Sequence, residues 1–416
     1  MTRHLMIVLA ILFVFTSAYA AENDVSWNKV DRSWVGTETM TFDLNSGSLV
    51  NVSRFAGDVK IVGENRDDIL LTITFSADRR LDQEDAQSKY DDLRPTIIAV
   101  NDELKIEGPE RRFNWNSKHG WIELTLHTPK SLNIEAGVSG GDIVIETIEG
   151  EFDLSTSGGD ADLKGTKGPL LVSSSGGDIE IIGHQGFQDL SASGGDVNLR
   201  ETSGEINVSS SGGDVEFLQV SGKLKVSASG GDVLLEEINA KRLRVDSSGG
   251  SIDLLNVSIE ERAMLSASGG DINTSNTNGS IELSTSGGDI DVDTHSGDIL
   301  AEGSAGDVML REINGSLDVD LNAGTLLASL SKSAGNDFTW DVAVSSGDAI
   351  ISIPESAKVD LVARVHNGGG VESIRSDFPL TTKKRGHSVT ANGEINGGGA
   401  SIHITVGGGD IRIKKI

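Results

Sequence analysis

The sequence predicts an all-β protein: a single-stranded β-helix, or β-solenoid, of about 18 residues per coil. Three observations predict it. Ser-Gly-Gly-Asp recurs at Ser139–Asp142, Ser157–Asp160, Ser175–Asp178, Ser193–Asp196, Ser211–Asp214 and Ser229–Asp232, each copy 18 residues after the last. Between copies, apolar and polar residues alternate in two halves of nine, as short strands with one buried face require. Glycine is in excess, with 51 residues, whereas aromatics between 131 and 330 are only Phe152, Phe187 and Phe217. That stretch must build its core from Ile, Val and Leu.

The amino terminus reads as an export signal. Arg3 and His4 precede the apolar run Leu5–Phe15, and Ala18-Tyr19-Ala20 fits a small-residue cleavage site. The run is too short for a comfortable bilayer span. Residues 1–20 are therefore expected to be a signal peptide, and the mature chain an exported, periplasmic or extracellular protein with no membrane span. Cysteine is absent, which excludes disulfides, thiol catalysis and zinc–thiolate sites.

Residues 21–130 are expected to form a β-rich amino-terminal cap with one short helix. Ala21–Lys29 reads as a polar arm. Strand patterns follow from Trp34, at Ser48–Arg54, Gly57–Val62, Ile69–Phe75, Thr96–Val100, Glu103–Glu107 and Trp121–His127. Arg80–Leu93 lacks Gly and Pro and is rich in Asp, Glu, Gln and Lys; it reads as an exposed helix stopped by Pro95. Most large aromatics sit here, and core residues are their leading reading. A separate binding domain with Trp115 and Trp121 as contacts is the alternative.

Residues 131–330 are the expected solenoid. One half of each coil buries pairs such as Ile143 and Ile145, Ile179 and Ile181, or Val197 and Leu199. The other half buries Phe152 and Leu154, Leu170 and Val172, or Ile206 and Val208. A small residue follows in phase (Thr156, Ser174, Ala192, Ser210, Ala228, Ala267, Thr285), where the coil narrows. The glycine pair two residues later is expected to turn the chain through positive φ, and the Asp to hydrogen-bond nearby turn amides. The spacing stretches by one at Ser248-Gly249-Gly250-Ser251, and further copies start at Ser268 and Ser286. The nine-residue beat runs on to Thr325, giving about ten coils and a rod roughly 50 Å long. Residues 331–416, with Gly368–Gly370, Gly397–Gly399, Gly407–Gly409 and the basic run Lys383-Lys384-Arg385, are expected to be irregular coils and a closing cap.

The formal charge is −28, and residues 131–330 hold 34 Asp and Glu against 10 Lys and Arg. Such a surface argues against nucleic acid as a partner and favours cations. Asp142, Asp160, Asp178, Asp196, Asp214 and Asp232 would stack about 5 Å apart, repelling by nearly 1 kcal/mol per neighbouring pair in water. Turn capping is the leading reading of this row, with no metal site. A calcium row is the alternative, although the calcium β-roll pattern Gly-Gly-x-Gly-x-Asp is missing. His184 and His295 share a phase but lie six coils apart, too far to share a metal. The serine runs have no neighbouring His. Catalytic residues and cofactors are therefore not expected.

These motifs resemble the bacterial putative-adhesin family of tandem β-strand repeats, often labelled a domain of unknown function. The likeness is carried by the Ser-Gly-Gly-Asp-hydrophobic motifs, by Leu126-His127-Thr128-Pro129-Lys130, and by Ile395–Gly399 with Gly409-Asp410-Ile411. It implies a right-handed β-helix of the cell surface or envelope and supplies no catalytic residues. The functional expectation is a non-enzymatic, exported adhesin or envelope binding module that contacts an envelope or cell-surface protein or glycan. A carbohydrate-active β-helix enzyme and a calcium-stabilised solenoid are the alternatives.

Overall fold

The computed structural model describes residues 24–109 and 120–416. The expected signal peptide and Trp115 lie outside them. Among the described residues the regular structure is almost all strand, with one α-helix, α1 (Gln83–Leu93).

Two stacks of short parallel strands face each other, and the core lies between them. In the first stack Ile143 pairs with Ala161, Ala161 with Ile179, Ile179 with Val197 and Val197 with Val215. In the second, Phe152 pairs with Leu170, Leu170 with Gln188 and Gln188 with Ile206. Each step is 18 residues, so equivalent side chains lie about 4.8 Å apart. Ile143, Ile179 and Val197 are each fully buried in this shared interior. The phase-locked small residues, from Thr156 to Thr285, also point inward and are buried.

Both stacks extend beyond the repeats. Ile143 also pairs with Val59, and Val59 with Leu124. At the other end Leu326 pairs with Ala349, and Ala349 with Ile411. Antiparallel pairs among the described residues lie outside 131–330: around Ser33–Phe42, Ile69–Ala77 and Thr96–Val100 at one end, and around Val359–Val365 and Ser388–Ile395 at the other.

The two corners of a coil differ in chemistry, and here one expectation fails. No glycine of the Ser-Gly-Gly-Asp pairs from Ser139 to Asp289 lies in the left-handed region. The second glycine is required by close approach instead: a Cβ on Gly159 would sit 2.1 Å from the Gly141 carbonyl oxygen one coil back. Gly177 and Gly195 repeat this crowding at 2.0 and 2.2 Å. The positive-φ residues gather at the opposite corner, at Thr147, Gly165, Gly183, Glu201, Gln219 and Glu237, with Gly168, Gly186, Gly204 and Gly222 following three residues after four of them. The glycine corner is braced by the small inward hydroxyls. Ser174 Oγ donates to the Gly177 carbonyl at 2.6 Å, and Ser210 Oγ to Gly213 at 2.9 Å.

Two local readings are also corrected. The polar arm is a strand, Ser26–Val30, paired antiparallel with Ser33–Phe42. Trp27 anchors it, packing edge-on against Phe75 and donating from its indole nitrogen to Gln87 Oε1 at 2.7 Å. The helix is not exposed all round, because Ala86, Tyr90 and Leu93 are buried. Asp82 caps it, accepting from the Asp85 amide at 2.9 Å. Beneath it Glu38 is buried and held by the Tyr90 hydroxyl and by two Arg94 nitrogens at 2.6 and 2.7 Å. Burial pulls the Glu38 carboxyl up, yet the donors from Arg94 and Tyr90 outweigh it and hold the group below its usual range.

One coil is packed against its own hydropathy. At Phe187-Gln188 the aromatic points out, 40% exposed, and Gln188 is buried where Leu170 and Ile206 stand in adjacent coils. Both polar atoms of the Gln188 side chain lack a partner. An orphaned buried amide carries its full desolvation penalty. Gln188→Leu is therefore expected to raise stability by about 2 kcal/mol, read from urea denaturation. Loss of stability on that substitution would show that the amide is satisfied.

Candidate binding surfaces

The aspartate row exists, with a different partner from the one expected. Each carboxylate serves the next coil rather than its own turn. Asp142 Oδ1 accepts from the Asp160 amide at 2.9 Å, and Asp160 Oδ1 from the Asp178 amide at 2.8 Å. Asp178, Asp196 and Asp214 continue the chain to the amides of Asp196, Asp214 and Asp232, each at 2.8 Å. Asp58 begins the series by accepting from the Asp142 amide at 3.0 Å, and its other oxygen takes the Trp121 indole N–H. Trp121 thus sits at the start of the ladder. Ser251 interrupts the row: its hydroxyl reaches the Asp271 amide at only 3.3 Å.

A carboxylate bonded to an amide is a charge-assisted contact, but stacked like charges oppose it. Asp196→Ala is expected to cost about 1 kcal/mol net by removing the acceptor for the Asp214 amide. Asp196→Asn keeps an acceptor and removes the repulsion, so it should be neutral or stabilising in a thermal melt. A larger loss for Asn than for Ala would mean that the negative charge itself is needed. Among the described residues, no three His, Asp or Glu side chains converge in a way that could hold a metal.

His184 and His295 fall in one inward row at the left-handed corner, with Thr166, Thr202, Val220 and Val257 between or beside them, and all are buried. His184 Nδ1 is 2.8 Å from the Thr166 hydroxyl and its Nε2 is 3.0 Å from the Gly168 carbonyl, so Nε2 carries the proton. His295 Nδ1 meets the Thr277 hydroxyl at 2.8 Å. Burial pushes both imidazoles down, to about 4. They are neutral core groups, walled from solvent. Asp291 and Asp293 lie on the outer face, where Arg311 bridges them at 2.6 and 3.8 Å.

A second surface was not singled out from the sequence. The coils lengthen where Lys241 and then Glu260-Glu261 are inserted, and the pairing shifts register at Gly222/Lys223 and at Ala240/Arg242. The strands there run on as Val233–Ser247 and Ile252–Ala267. Beside this irregularity lies a groove of about 500 Å³ on the outer face of the second stack. Its walls carry Lys223, Lys225, Arg242, Arg244 and Arg262 against Glu205 and Glu261, and with Asp246 and Glu282 paired to Arg244 and Arg262 at its margin the cluster keeps a surplus of one positive charge. Lys223, Arg242 and Arg262 align on successive coils, and Lys225 aligns with Arg244. Six of the ten basic residues of 131–330 fall between 223 and 262. The signal was present in the sequence as basic residues gathered where the 18-residue spacing stretches.

Two stacks of in-register parallel strands, repeated coil on coil, define an all-β, solenoid-like repeat protein. Within that class the chain belongs to the Toastrack DUF4097 family, whose profile matches residues 50–235 and 201–359. No curated protein matches the chain. Several solved structures are similar. A "putative cell adhesion protein" from Clostridium sporogenes is 11% identical over 91% of this chain and 100% of its own, with a TM-score of 0.18. A "putative lipid binding protein" from Parabacteroides distasonis is 13% identical over 73% and 96%, with a TM-score of 0.26. A "putative adhesin" from Bacteroides fragilis is 12% identical over 65% and 96%, with a TM-score of 0.28.

Proposed function

We propose that this protein is an exported, non-enzymatic β-solenoid that serves as a binding or adhesive module of the cell envelope. The observation that carries the reading is the outer wall. Its positions repeat on every coil, and the coil insertions at Lys241 and Glu260-Glu261 raise a charged groove on it. A wall of this kind presents aligned side chains to a long partner, whereas β-helix hydrolases and lyases need converging carboxylates or bases in a cleft. The apolar run Leu5–Phe15 supports export.

The segments at either end, 21–130 and 331–416, act as caps in this reading. Antiparallel strands there cover edges that would otherwise template association. The aspartate row braces coil to coil and needs no ion: EDTA should leave the melting temperature unchanged.

Cell fractionation with mass spectrometry of the amino terminus tests the export half. The expected result is a chain beginning at Ala21 in the periplasmic or extracellular fraction. A polysaccharide panel scored for retention and for release of reducing ends tests the other half. Turnover of any polymer, or an uncleaved cytoplasmic chain, would overturn the proposal.

A further inference from the structure

We infer that the groove around Lys225 and Arg244 binds a slender acidic polysaccharide, a chain bearing carboxylates or sulfates along its length. This deepens the binding-module reading and rests on it.

Three features point to that ligand. The first is charge contrast: the groove carries its positive surplus on a protein of net charge −28. A ligand drawn there must be anionic, and it must be seated in the groove to escape the surrounding repulsion.

The second is direction. The aligned cations run from coil to coil, so their repeat is the strand spacing of about 4.8 Å. A linear polymer with regularly spaced acidic groups can lie along that line and meet one or two cations per coil. Most of the cations already hold local carboxylates at the surface: Lys223 with Glu205, Arg242 with Glu261, Arg262 with Glu282 and Arg244 with Asp246. Exposed pairs of this kind are weak and exchangeable. Lys225 has no ion pair among the described residues and is the free cation of the set.

The third is the flank. A neighbouring depression, which shares Arg262, is lined by Asp298, Asp318 and Asp341. These lie only a few coils from the basic rows, at distances of one or two screening lengths. A bilayer or a duplex, being broad, would press its own anionic charge against them. A thin polymer confined to the groove avoids them. Single-stranded nucleic acid is thin enough, but it draws much of its affinity from stacking on aromatic side chains, and the groove lining holds none. Met264, half-buried at the edge of the lining, offers one apolar contact for a sugar ring, while Leu224 and Leu243 beneath it belong to the core.

The test uses the full mature chain and four probes: polygalacturonate, neutral dextran, a deoxythymidine oligonucleotide and phosphatidylglycerol vesicles. Binding is read by affinity electrophoresis and calorimetry at two salt concentrations. The expected result is retention by polygalacturonate alone, weakened roughly tenfold or more between 50 and 200 mM salt. Lys225→Gln with Arg244→Gln should reduce that affinity at least about tenfold, with an unchanged circular dichroism spectrum. Lys383→Gln with Lys384→Gln, in the distant basic run, should leave it intact.

Equal loss in both double variants, or no binding to polygalacturonate, would overturn the assignment. So would preferential binding of the oligonucleotide or the vesicles. Concentration-dependent self-association lost in the groove variant would replace the polysaccharide with a second copy of this chain. Release of reducing ends, measured on the same samples, would sink the non-enzymatic reading while leaving the groove as the binding site.

Discussion

Gly159→Ala is expected to destabilise the protein by roughly 3 kcal/mol, an overpacking penalty at the upper end of the usual range. Its neighbour Gly158→Ala should change stability by no more than about 0.5 kcal/mol. The two glycines are adjacent and belong to one motif. A methyl on Gly158 meets nothing nearer than 3.8 Å, whereas one on Gly159 meets the Gly141 carbonyl oxygen at 2.1 Å and its carbon at 2.4 Å. Those atoms are main chain in the preceding coil and cannot rotate away. Relief requires the coils to separate, which stretches strand pairing on both faces. Urea denaturation gives the difference, and hydrogen exchange should place it in the coils on either side of residue 159. Equal effects from the two substitutions would mean that crowding against the preceding coil does not select glycine here.

The second large effect is acid sensitivity. The imidazoles of His184 and His295 are pushed by burial from 6.5 down to about 4; the carbonyls of Gly168 and Gly279 pull weakly the other way. An unfolded chain takes up these protons near pH 6.5, and the folded chain only near 4. The unfolded state therefore holds more protons in that window, and stability rises with pH across it. The contribution is complete above about 6.5 and drains away as pH falls to about 4. Each histidine is worth about 3 kcal/mol over the window at 1.36 kcal/mol per pH unit. Asp162 works in the opposite sense. Burial first, and then Glu180 and its other acidic neighbours, raise its carboxyl, so the stability it gives when protonated is lost as pH climbs past 3.8.

His184→Val and His295→Val are the informative variants, since Val220 and Val257 already occupy the same row. The histidines stand six coils apart, so their effects should add. The double variant is expected to lose most of the slope of stability against pH between 6.5 and 4. An unaltered slope would show that neither ring is shielded as the packing implies.

The architecture was legible because its two periods are physical. Alternation of two sets the inward face, and repetition at 18 sets which residues stack; together they placed Ile143, Ile179 and Val197 in one interior. Helix α1 was legible from composition and Pro95, but its buried face was not, because Ala86 and Tyr90 are fixed by the strands beneath. The reason for the glycine pair was hidden as well. A motif shows that a side chain is not tolerated; only the stacked neighbour shows whether torsion or space forbids it. Phe187 and Gln188 defeated hydropathy outright, since register outranks the preference of either side chain. The groove was legible only in part. Lys223, Lys225, Arg242, Arg244 and Arg262 are scattered along the chain and become neighbours through pairing between coils.

The ladder from Asp142 to Asp232 makes each corner an identical socket and plug. A unit that fits its copy can be duplicated or excised in frame without disturbing either terminus. Reach thus becomes a heritable variable, adjustable by unequal recombination in increments of one rung, while the groove at the inserted coils keeps its form.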